Sequence, residues 1–232
     1  MYHPSKIKLQ NGQAACNMGG RCAIETVMVA IMAKPVEQTA NGYPKRDEPR
    51  LGTPDELVVL AKTQAAALGK LYELYYDRIF RFCVHRLFNR ATAEDVTSTV
   101  FLTVARTIRD FQGRTEQDFR SWIYTIAANQ ANAHIRKSMR RRRLMSNVVV
   151  HRQADGPEAG AWSRLDWPTV YAAIQQLRPE HQTLLTLRYF ENMDYEEIGR
   201  VVDARPATIR VTLHRTLRRL QEVLQRDLGG EP

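Results

Sequence analysis

Residues 195–215 read YEEIGRVVDARPATIRVTLHR, and this stretch decides the fold of the C-terminal part of the chain. Apolar residues recur at helical spacing on both sides of residues 203–205, which predicts two helices joined by a three-residue turn. Pro206 fits at the start of the second helix because the first amides of a helix have no partner within it. Gly199 has no side chain, so the second helix can approach the first closely. The stretch therefore predicts a helix-turn-helix.

The second helix of this pair is strongly basic. Residues 205–219 contain five arginines and one histidine but no acidic residue. Such one-sided charge is typical of a helix whose N-terminal half enters the major groove of DNA. The alternative is a solvated basic face on a structural helix, but the turn and the spacing together favour DNA binding. The predicted DNA-contacting residues are Arg205, Thr208, Arg210, Val211, Thr212, His214, Arg215 and Arg218.

A loop-forming segment separates this unit from a second helical one upstream. Residues 146–166 contain Asp155-Gly156-Pro157 and Gly160, a composition typical of an interdomain linker. On both sides of it, apolar residues at spacings of three and four predict helices, and the sequence contains no β pattern of any length. The predicted fold class is all-α, with two small helical domains at residues 53–145 and 167–228.

Residues 1–52 form a separate segment in which glycine and proline recur. This composition predicts a mostly disordered N-terminal extension. A second interpretation is that the natural protein starts at Met28 or Met32, so that the preceding residues do not belong to it. Mass spectrometry of the native N-terminus distinguishes the two interpretations.

The overall charge indicates a polyanionic partner. The 232-residue chain has 34 Lys and Arg against 25 Asp and Glu, a net charge of +9. Nucleic acid and an anionic membrane surface both fit that charge. The sequence has no run of about 18 uncharged apolar residues, so membrane insertion is not expected. Three cysteines are too few for a disulfide scaffold and fit a reducing, cytoplasmic compartment.

The sequence offers little to support catalysis. It contains no phosphate-binding loop, no GxGxxG, no HExxH and no GxSxG. Its six histidines are scattered, without cysteine or carboxylate partners at metal-binding spacing. Cys83 falls on the apolar face of a predicted helix and is expected in the core. We therefore expect neither an enzyme nor a bound cofactor or metal ion.

A second basic cluster closes the N-terminal domain. Residues 136–143 carry six basic side chains in eight positions, at the end of a predicted helix. Earlier in that helix, Phe119 and Trp122 share an apolar face and are expected in the core, whereas Tyr124 and Asn129 fall off that face. Aromatic and polar side chains beside a basic end suit melted or single-stranded DNA. A membrane-surface helix would need a free apolar face opposite the arginines, and the core already requires that face.

Two sets of motifs resemble a known family. The first runs from Ala93-Glu94-Asp95-Val96 through Phe119-Arg120-Ser121-Trp122-Ile123-Tyr124 to the basic cluster. The second comprises Tyr195-Glu196-Glu197-Ile198 and Thr208-Ile209-Arg210. With these motifs the chain resembles a bacterial RNA polymerase sigma factor of the extracytoplasmic-function (ECF) group. The first set matches the family's region 2 and the second its region 4.

The resemblance implies a role for each cluster. Glu94, Asp95 and Thr99 would dock on core RNA polymerase at the clamp helices of its largest subunit, and region 4 would lie at its flap region. The loop 111–118 would hold a base flipped out of the −10 promoter element, and the helix after Pro206 would read the −35 element of promoter DNA. An anti-sigma factor becomes a candidate partner. The residues assigned to the −10 element are Arg114, Arg120, Tyr124, Asn129, Asn132, Arg136, Lys137, Arg140, Arg141, Arg142 and Arg143.

Four residues depart from the usual family pattern. Asp203 stands where glycine is frequent, Arg205 where proline is frequent, and Val211-Thr212 where Ser-Arg is frequent. The competing interpretation is a stand-alone helix-turn-helix regulator with an N-terminal sensor or dimerisation domain. That interpretation explains residues 190–224. It gives no role to the predicted helix that carries Glu94 and Asp95, or to the helix that ends in the basic cluster.

Overall fold

The computed structural model describes residues 53–144 and 167–228, with side chains from 53 to 141 and from 169 to 226. These residues contain no β-strand, so the all-α prediction is confirmed. The N-terminal extension and the linker, both sequence-based predictions, lie outside the described residues. The eight α-helices in the described part are α1 (Pro54–Leu60), α2 (Ala65–Leu87), α3 (Arg90–Thr107), α4 (Glu116–Leu144), α5 (Trp167–Gln175), α6 (Pro179–Leu185), α7 (Tyr195–Val202) and α8 (Pro206–Leu228). A 3₁₀ turn follows α3 at Ile108–Asp110, and a π-helical segment follows α6 at Thr186–Phe190.

Three helices build the core of the N-terminal half. Each contributes a stripe of buried apolar residues at spacings of three and four. Cys83 lies in this core, as predicted, and burial raises the pKa of its thiol to about 11. The stripes consist of Leu71, Ile79 and Phe82 on α2, Val96, Val100 and Val104 on α3, and Phe119, Ile123 and Ala127 on α4.

Side-chain caps determine where the first helices begin. Thr53 and Glu56 form a capping box at the start of α1. Asn89 accepts a hydrogen bond from the backbone amide of Thr92 at 2.8 Å and so starts α3. Both caps satisfy amides that lack a partner within their own helix.

The C-terminal half has a smaller core around α8. This helix packs against α5, α6 and α7. It buries Ile209, Leu213, Leu217 and Leu220, which recur along one face. The opposite face of α8 is left to solvent.

The turn between α7 and α8 depends on two backbone requirements. Asp203 ends α7 in the left-handed region with φ 52°, which aspartate tolerates better than most non-glycine residues. The Ala204 amide donates to the Gly199 carbonyl oxygen at 3.0 Å. A Cβ atom on Gly199 would lie 2.5 Å from the Ala204 carbonyl oxygen. The close approach therefore requires glycine at 199, as the sequence indicated.

The two halves also pack against each other. Helix α4 contacts α6 and α7, and α2 contacts the π-helical segment. His85 on α2 stacks on Phe190 with ring centroids 3.9 Å apart. Phe88, at the end of α2, meets Tyr171 of α5 edge-on at 4.9 Å. The described parts of both halves thus form one continuous packed unit.

We predict that Gly199→Ala destabilises the C-terminal half by about 1–3 kcal/mol, because the new methyl group has to displace backbone at the turn. Urea unfolding of the full chain measures this change. Gly69→Ala is the matched control, since no atom lies within 4 Å of a Cβ placed there. At this mid-helix position alanine is expected to be neutral or to stabilise by up to about 1 kcal/mol. Equal effects of the two substitutions would contradict the close-approach argument.

We also predict that acid weakens the packing around His85. Burial, together with the charge of Arg81, lowers the pKa of His85 from 6.5 to about 4. The folded chain therefore disfavours the imidazolium, and the stability is full above pH 6.5 and is lost as the pH falls from there through about 4. The loss should reach at most about 3 kcal/mol.

Urea unfolding at a series of pH values measures the effect. His85→Phe keeps an aromatic ring against Phe190 and should flatten the dependence between these pH values. His134→Gln, a substitution at an exposed histidine of α4, should leave the dependence as in the wild type. A pH profile that His85→Phe does not change would rule out His85 as its source.

Candidate nucleic-acid interface

The residues predicted to contact duplex DNA lie together on the solvent side of α8. Because Ile209, Leu213 and Leu217 face the core, the residues between them face outward. Val211 is 49% exposed among cationic side chains, where an apolar group can contact a thymine methyl. The exposed members of the predicted set are Arg205, Thr208, Arg210, Val211, His214, Arg215 and Arg218, and Thr212 is half-buried.

Tyr195 places two arginines beside this surface. The guanidinium carbon of Arg188 lies 5.0 Å from the Tyr195 ring centroid, and that of Arg210 lies 5.3 Å from it. Arg188 is further held by a hydrogen bond that it donates to the Met193 carbonyl oxygen at 2.9 Å. The basic surface therefore extends beyond α8. Sequence reasoning missed Arg188 because it precedes the helix-turn-helix and shows no spacing relation to it.

Helix α3 presents a mixed polar and apolar face on its outer side. Glu94, Asp95 and Thr99 are exposed on α3, and Arg90 forms a surface ion pair with Glu94 at 3.3 Å. Leu102 is 51% exposed, one helical turn beyond Thr99. Single exposed apolar side chains are common on protein surfaces, and this one lies on the same side of α3 as Asp95 and Thr99. Leu102 received no role in the sequence analysis, although the spacing of Val96, Val100 and Val104 already places residue 102 on the outer face of α3.

Part of the second predicted DNA surface is open to solvent. Arg114 precedes α4, and Asn129 lies on its outer face. The basic residues at the C-terminal end of α4 are exposed as far as side chains are described, up to residue 141. The side chains of residues 142 and 143 lie outside the described part. The exposed members of this set are Arg114, Asn129, Arg136, Lys137, Arg140 and Arg141.

The other three residues assigned to this surface are engaged by the C-terminal half. Arg120 forms an ion pair with Glu197 at 2.6 Å, and Asn132 accepts a hydrogen bond from Thr183 at 3.3 Å. Tyr124 is only 1% exposed and donates a hydrogen bond to the Glu191 carboxylate. Burial and this carboxylate both raise the pKa of Tyr124.

The expectation that Tyr124 falls off the apolar face of α4 was wrong, because the residue is buried. One edge of the ring packs on Phe82 at a centroid distance of 5.5 Å, and the hydroxyl side is covered by Glu191. The helical periodicity of α4 cannot predict the contact with Glu191, because Glu191 belongs to a segment that is distant in sequence. The assignment of Tyr124 to DNA stays a prediction.

Arg86 is a buried cation at the same junction. It is 1% exposed and donates to the side-chain oxygens of Gln182 at 2.7 Å and Asn132 at 2.6 Å. It also donates to the Pro179 carbonyl oxygen at 3.1 Å. No described carboxylate bonds its guanidinium, and burial lowers the pKa of Arg86 to about 10. Three neutral oxygens therefore hold a charge that prefers water.

The loop before α4 is tied down at both ends. Phe111 stacks on Trp122 at a centroid distance of 4.5 Å, and Lys62 donates to the Gly113 carbonyl oxygen at 2.8 Å. The Asp118 carboxylate accepts hydrogen bonds from the backbone amides of Arg114 and Thr115, which lowers its pKa. The loop is thus held to the turn after α1 and to α4 by aromatic and polar contacts. Its predicted role toward a flipped base stays a prediction.

Two further findings concern metal ions and membranes. In the described part of the chain, no three His, Cys, Asp or Glu residues are grouped as a metal ion would need. None of the helices between 53 and 144 or between 167 and 228 is long and apolar enough to span a bilayer.

Comparison with known proteins identifies both halves. Residues 71–141 match the family Sigma-70 region 2, and residues 169–220 match the family Sigma-70, region 4. The ECF RNA polymerase sigma factor BldN of Streptomyces coelicolor is 32% identical over 74% of this chain and 66% of its own length. The RNA polymerase sigma factor CarQ of Myxococcus xanthus is 30% identical over 68% of this chain and 89% of its own length.

A solved structure shares the fold. The sigma factor RpoE of Bartonella quintana, in complex with the anti-sigma factor NepR, superposes with a TM-score of 0.53 at 20% identity. The match covers 68% of this chain and 97% of that chain. One family assignment agrees with this structural match, with the two sequence relatives and with the two family matches. The chain belongs to the sigma-70 family of RNA polymerase sigma factors, within its ECF group.

Proposed function

We propose that this chain binds core RNA polymerase and directs promoter-specific initiation of transcription. The observation that carries the proposal is the separation of three surfaces on the two halves. Two of them are basic, one on α4 and one on α8, and the third is the exposed acidic face of α3. A factor that touches a promoter at two points while attached to polymerase needs such an arrangement.

Each surface has its own task in this proposal. The N-terminal half docks on the polymerase clamp helices through Glu94, Asp95 and Thr99, with Leu102 as an apolar anchor at the edge of the contact. Its α4 then engages the −10 element as the strands separate. The exposed side of α8 reads the −35 element in the major groove, and the C-terminal half lies at the polymerase flap.

The remaining properties follow from this role. The chain would carry out no catalysis of its own and would work in the cytoplasm, where polymerase and promoter DNA are found. An anti-sigma factor is a further proposed partner, supported by the NepR complex of the Bartonella quintana relative. The competing stand-alone regulator is not favoured, because both halves match parts of one family, region 2 and region 4, in that order.

Transcription in a defined system tests the proposal. Purified chain and core polymerase from the source organism are combined with genomic DNA, and the start sites of the transcripts are mapped. A specificity factor yields discrete starts that share upstream elements, and core alone does not. A chain that binds duplex DNA as a dimer but never stimulates core polymerase would support the stand-alone regulator instead.

We predict that Glu94→Lys combined with Asp95→Lys weakens binding to core polymerase at least tenfold, because both charges at the proposed contact are reversed; tenfold corresponds to about 1.4 kcal/mol. Binding is measured by fluorescence anisotropy of labelled chain against core polymerase. The fold should persist, since both side chains are exposed and the pair between Arg90 and Glu94 is a surface pair.

The control for this variant is Glu73→Lys combined with Glu222→Lys. Both carboxylates are exposed partners of i,i+3 surface ion pairs, so the change in net charge is the same. This control should bind polymerase with nearly wild-type affinity. An equal loss in both double variants would mean that net charge, rather than the α3 surface, governs binding.

We further predict that Arg215→Ala lowers the salt dependence of promoter binding. Each phosphate contact that is lost should reduce the slope of log K against log salt by about 0.9. Arg219→Ala is the matched control on the same helix, because Arg219 is paired with Glu222 at 3.0 Å. Binding of holoenzyme to a mapped promoter over a series of salt concentrations gives both slopes. Identical slopes for the two variants would remove Arg215 from the DNA surface.

A further inference from the structure

Helix α1 and the turn after it fasten the loop 111–118 from a distant part of the chain. The Asp55 carboxylate accepts a hydrogen bond from the Glu116 backbone amide at 2.6 Å. The Lys62 ammonium donates to the Gly113 carbonyl oxygen at 2.8 Å. These partners are 61 and 51 residues apart in the sequence, so the contacts do not arise from the loop itself.

The loop is packed closely enough to have one shape. Its Phe111 ring stacks on Trp122 at a centroid distance of 4.5 Å, and the Lys62 ammonium lies 5.5 Å from the centroid of the same ring. A Cβ atom on Gly113 would collide with the Phe111 ring and with the Cβ of Asp118. The backbone is therefore fixed while polar side chains point to solvent. Between residues 112 and 117 the exposed side chains are Gln112, Arg114, Thr115 and Gln117.

Both fastening charges suit the backbone groups that they meet. Asp55 lies at the N-terminus of α4, where the helix dipole favours an anion. It satisfies the Glu116 amide, which has no acceptor within its own helix. A hydrogen bond to a charged group is stronger than one between neutral groups, which applies to Asp55 and to Lys62 alike. Because an anion repels DNA phosphate, a direct contact with DNA does not account for Asp55 at this place.

We propose that Asp55 and Lys62 are positioning residues, which keep the loop 111–118 in the shape that receives a base of the −10 element. This rests on the proposed function, since it takes the loop as the part of the N-terminal half that holds a flipped base. A loop that becomes ordered only when its ligand arrives binds more weakly than one that is ordered in advance. Both residues precede the range 71–141 that matches Sigma-70 region 2, so they act on that region from outside the match.

Amide hydrogen exchange on the free chain tests whether Asp55 orders the loop. The reporter is the Glu116 amide, followed by NMR. Asp55→Ala should speed its exchange at least about tenfold, because the amide loses its acceptor. Asp55→Asn keeps an acceptor oxygen and should stay within about threefold of the wild type. The Thr92 amide, capped by Asn89, is the internal control and should not change. Unchanged exchange at Glu116 in Asp55→Ala would overturn the positioning role.

Binding of holoenzyme to a forked promoter tests the effect on the base. The fluorescent probe carries the −10 element of a mapped promoter with one strand unpaired, and fluorescence anisotropy gives the affinity. An abasic site is placed at each unpaired position in turn. The position where it weakens wild-type binding most marks the base that the loop holds. We expect a loss of about tenfold there, as for other base contacts in single strands.

The loop variants are Asp55→Ala and Lys62→Ala. Their controls, Asp77→Ala and Lys70→Ala, remove the same charges from α2, where Asp77 is exposed and Lys70 pairs with Glu73 at 3.4 Å. Each loop variant should bind the intact probe about fivefold more weakly than the wild type, which corresponds to one lost hydrogen bond. On the abasic probe it should bind as the wild type does, because no base is left to position. The controls should follow the wild type on both probes, and Lys62→Arg, which keeps the cation and its donors, should restore binding.

The two probes distinguish a positioning role from a purely structural one. Equal losses on the intact and the abasic probe would mean that the whole domain is weakened, which overturns the inference while the proposed function stands. Wild-type affinity of both loop variants for the intact probe would overturn it as well. If the wild-type holoenzyme binds the promoter but no abasic site weakens binding, the loop holds no base, and its assignment fails together with the inference.

Discussion

Helix α4 faces the N-terminal core, the C-terminal half and solvent on three different sides. The packing of both halves depends on this helix. Its buried stripe, which includes Phe119, Ile123 and Ala127, completes the N-terminal core. A second row, Arg120, Tyr124 and Asn132, bonds the C-terminal half. The third side carries arginines to solvent. Because 100° separates successive residues, one long helix can present an apolar, a hydrogen-bonding and a cationic side together.

The middle of α4 is paired with carboxylates of the C-terminal half, whereas the described arginines at its C-terminal end are not. Glu191 and Glu197 lie against Arg120 and Tyr124, whereas the arginines from 136 to 141 meet no described carboxylate. Electrostatic attraction to DNA can therefore begin at the exposed end, where it acts over about a Debye length.

Local patterns in the sequence were sufficient for most of the fold. The core position of Cys83 and the close approach at Gly199 are confirmed, because each depends on neighbours within a few residues. The outward side of α8 could be predicted for the same reason, since the buried positions of one helix determine its exposed ones. Arg188 and Leu102 were missed. Arg188 comes beside α8 only through the Tyr195 ring, which belongs to another element. The outward position of Leu102 follows from the spacing of α3, but residue type alone gave it no role.

The sequence by itself thus determined the helices, their buried stripes, the helix-turn-helix and the family, all of which are encoded in residue type and short spacing. Only the tertiary structure decided which polar residues of α4 meet solvent and which meet the other half. Tyr124 shows why: its exposure depends on Glu191, which lies far away in sequence and reaches it only when the two halves pack. Arg86 shows the same for charge, because the oxygens of Asn132, Gln182 and Pro179 converge on it from two other helices. Such convergence leaves no periodic trace in the chain, since each contributor also fits an ordinary surface position.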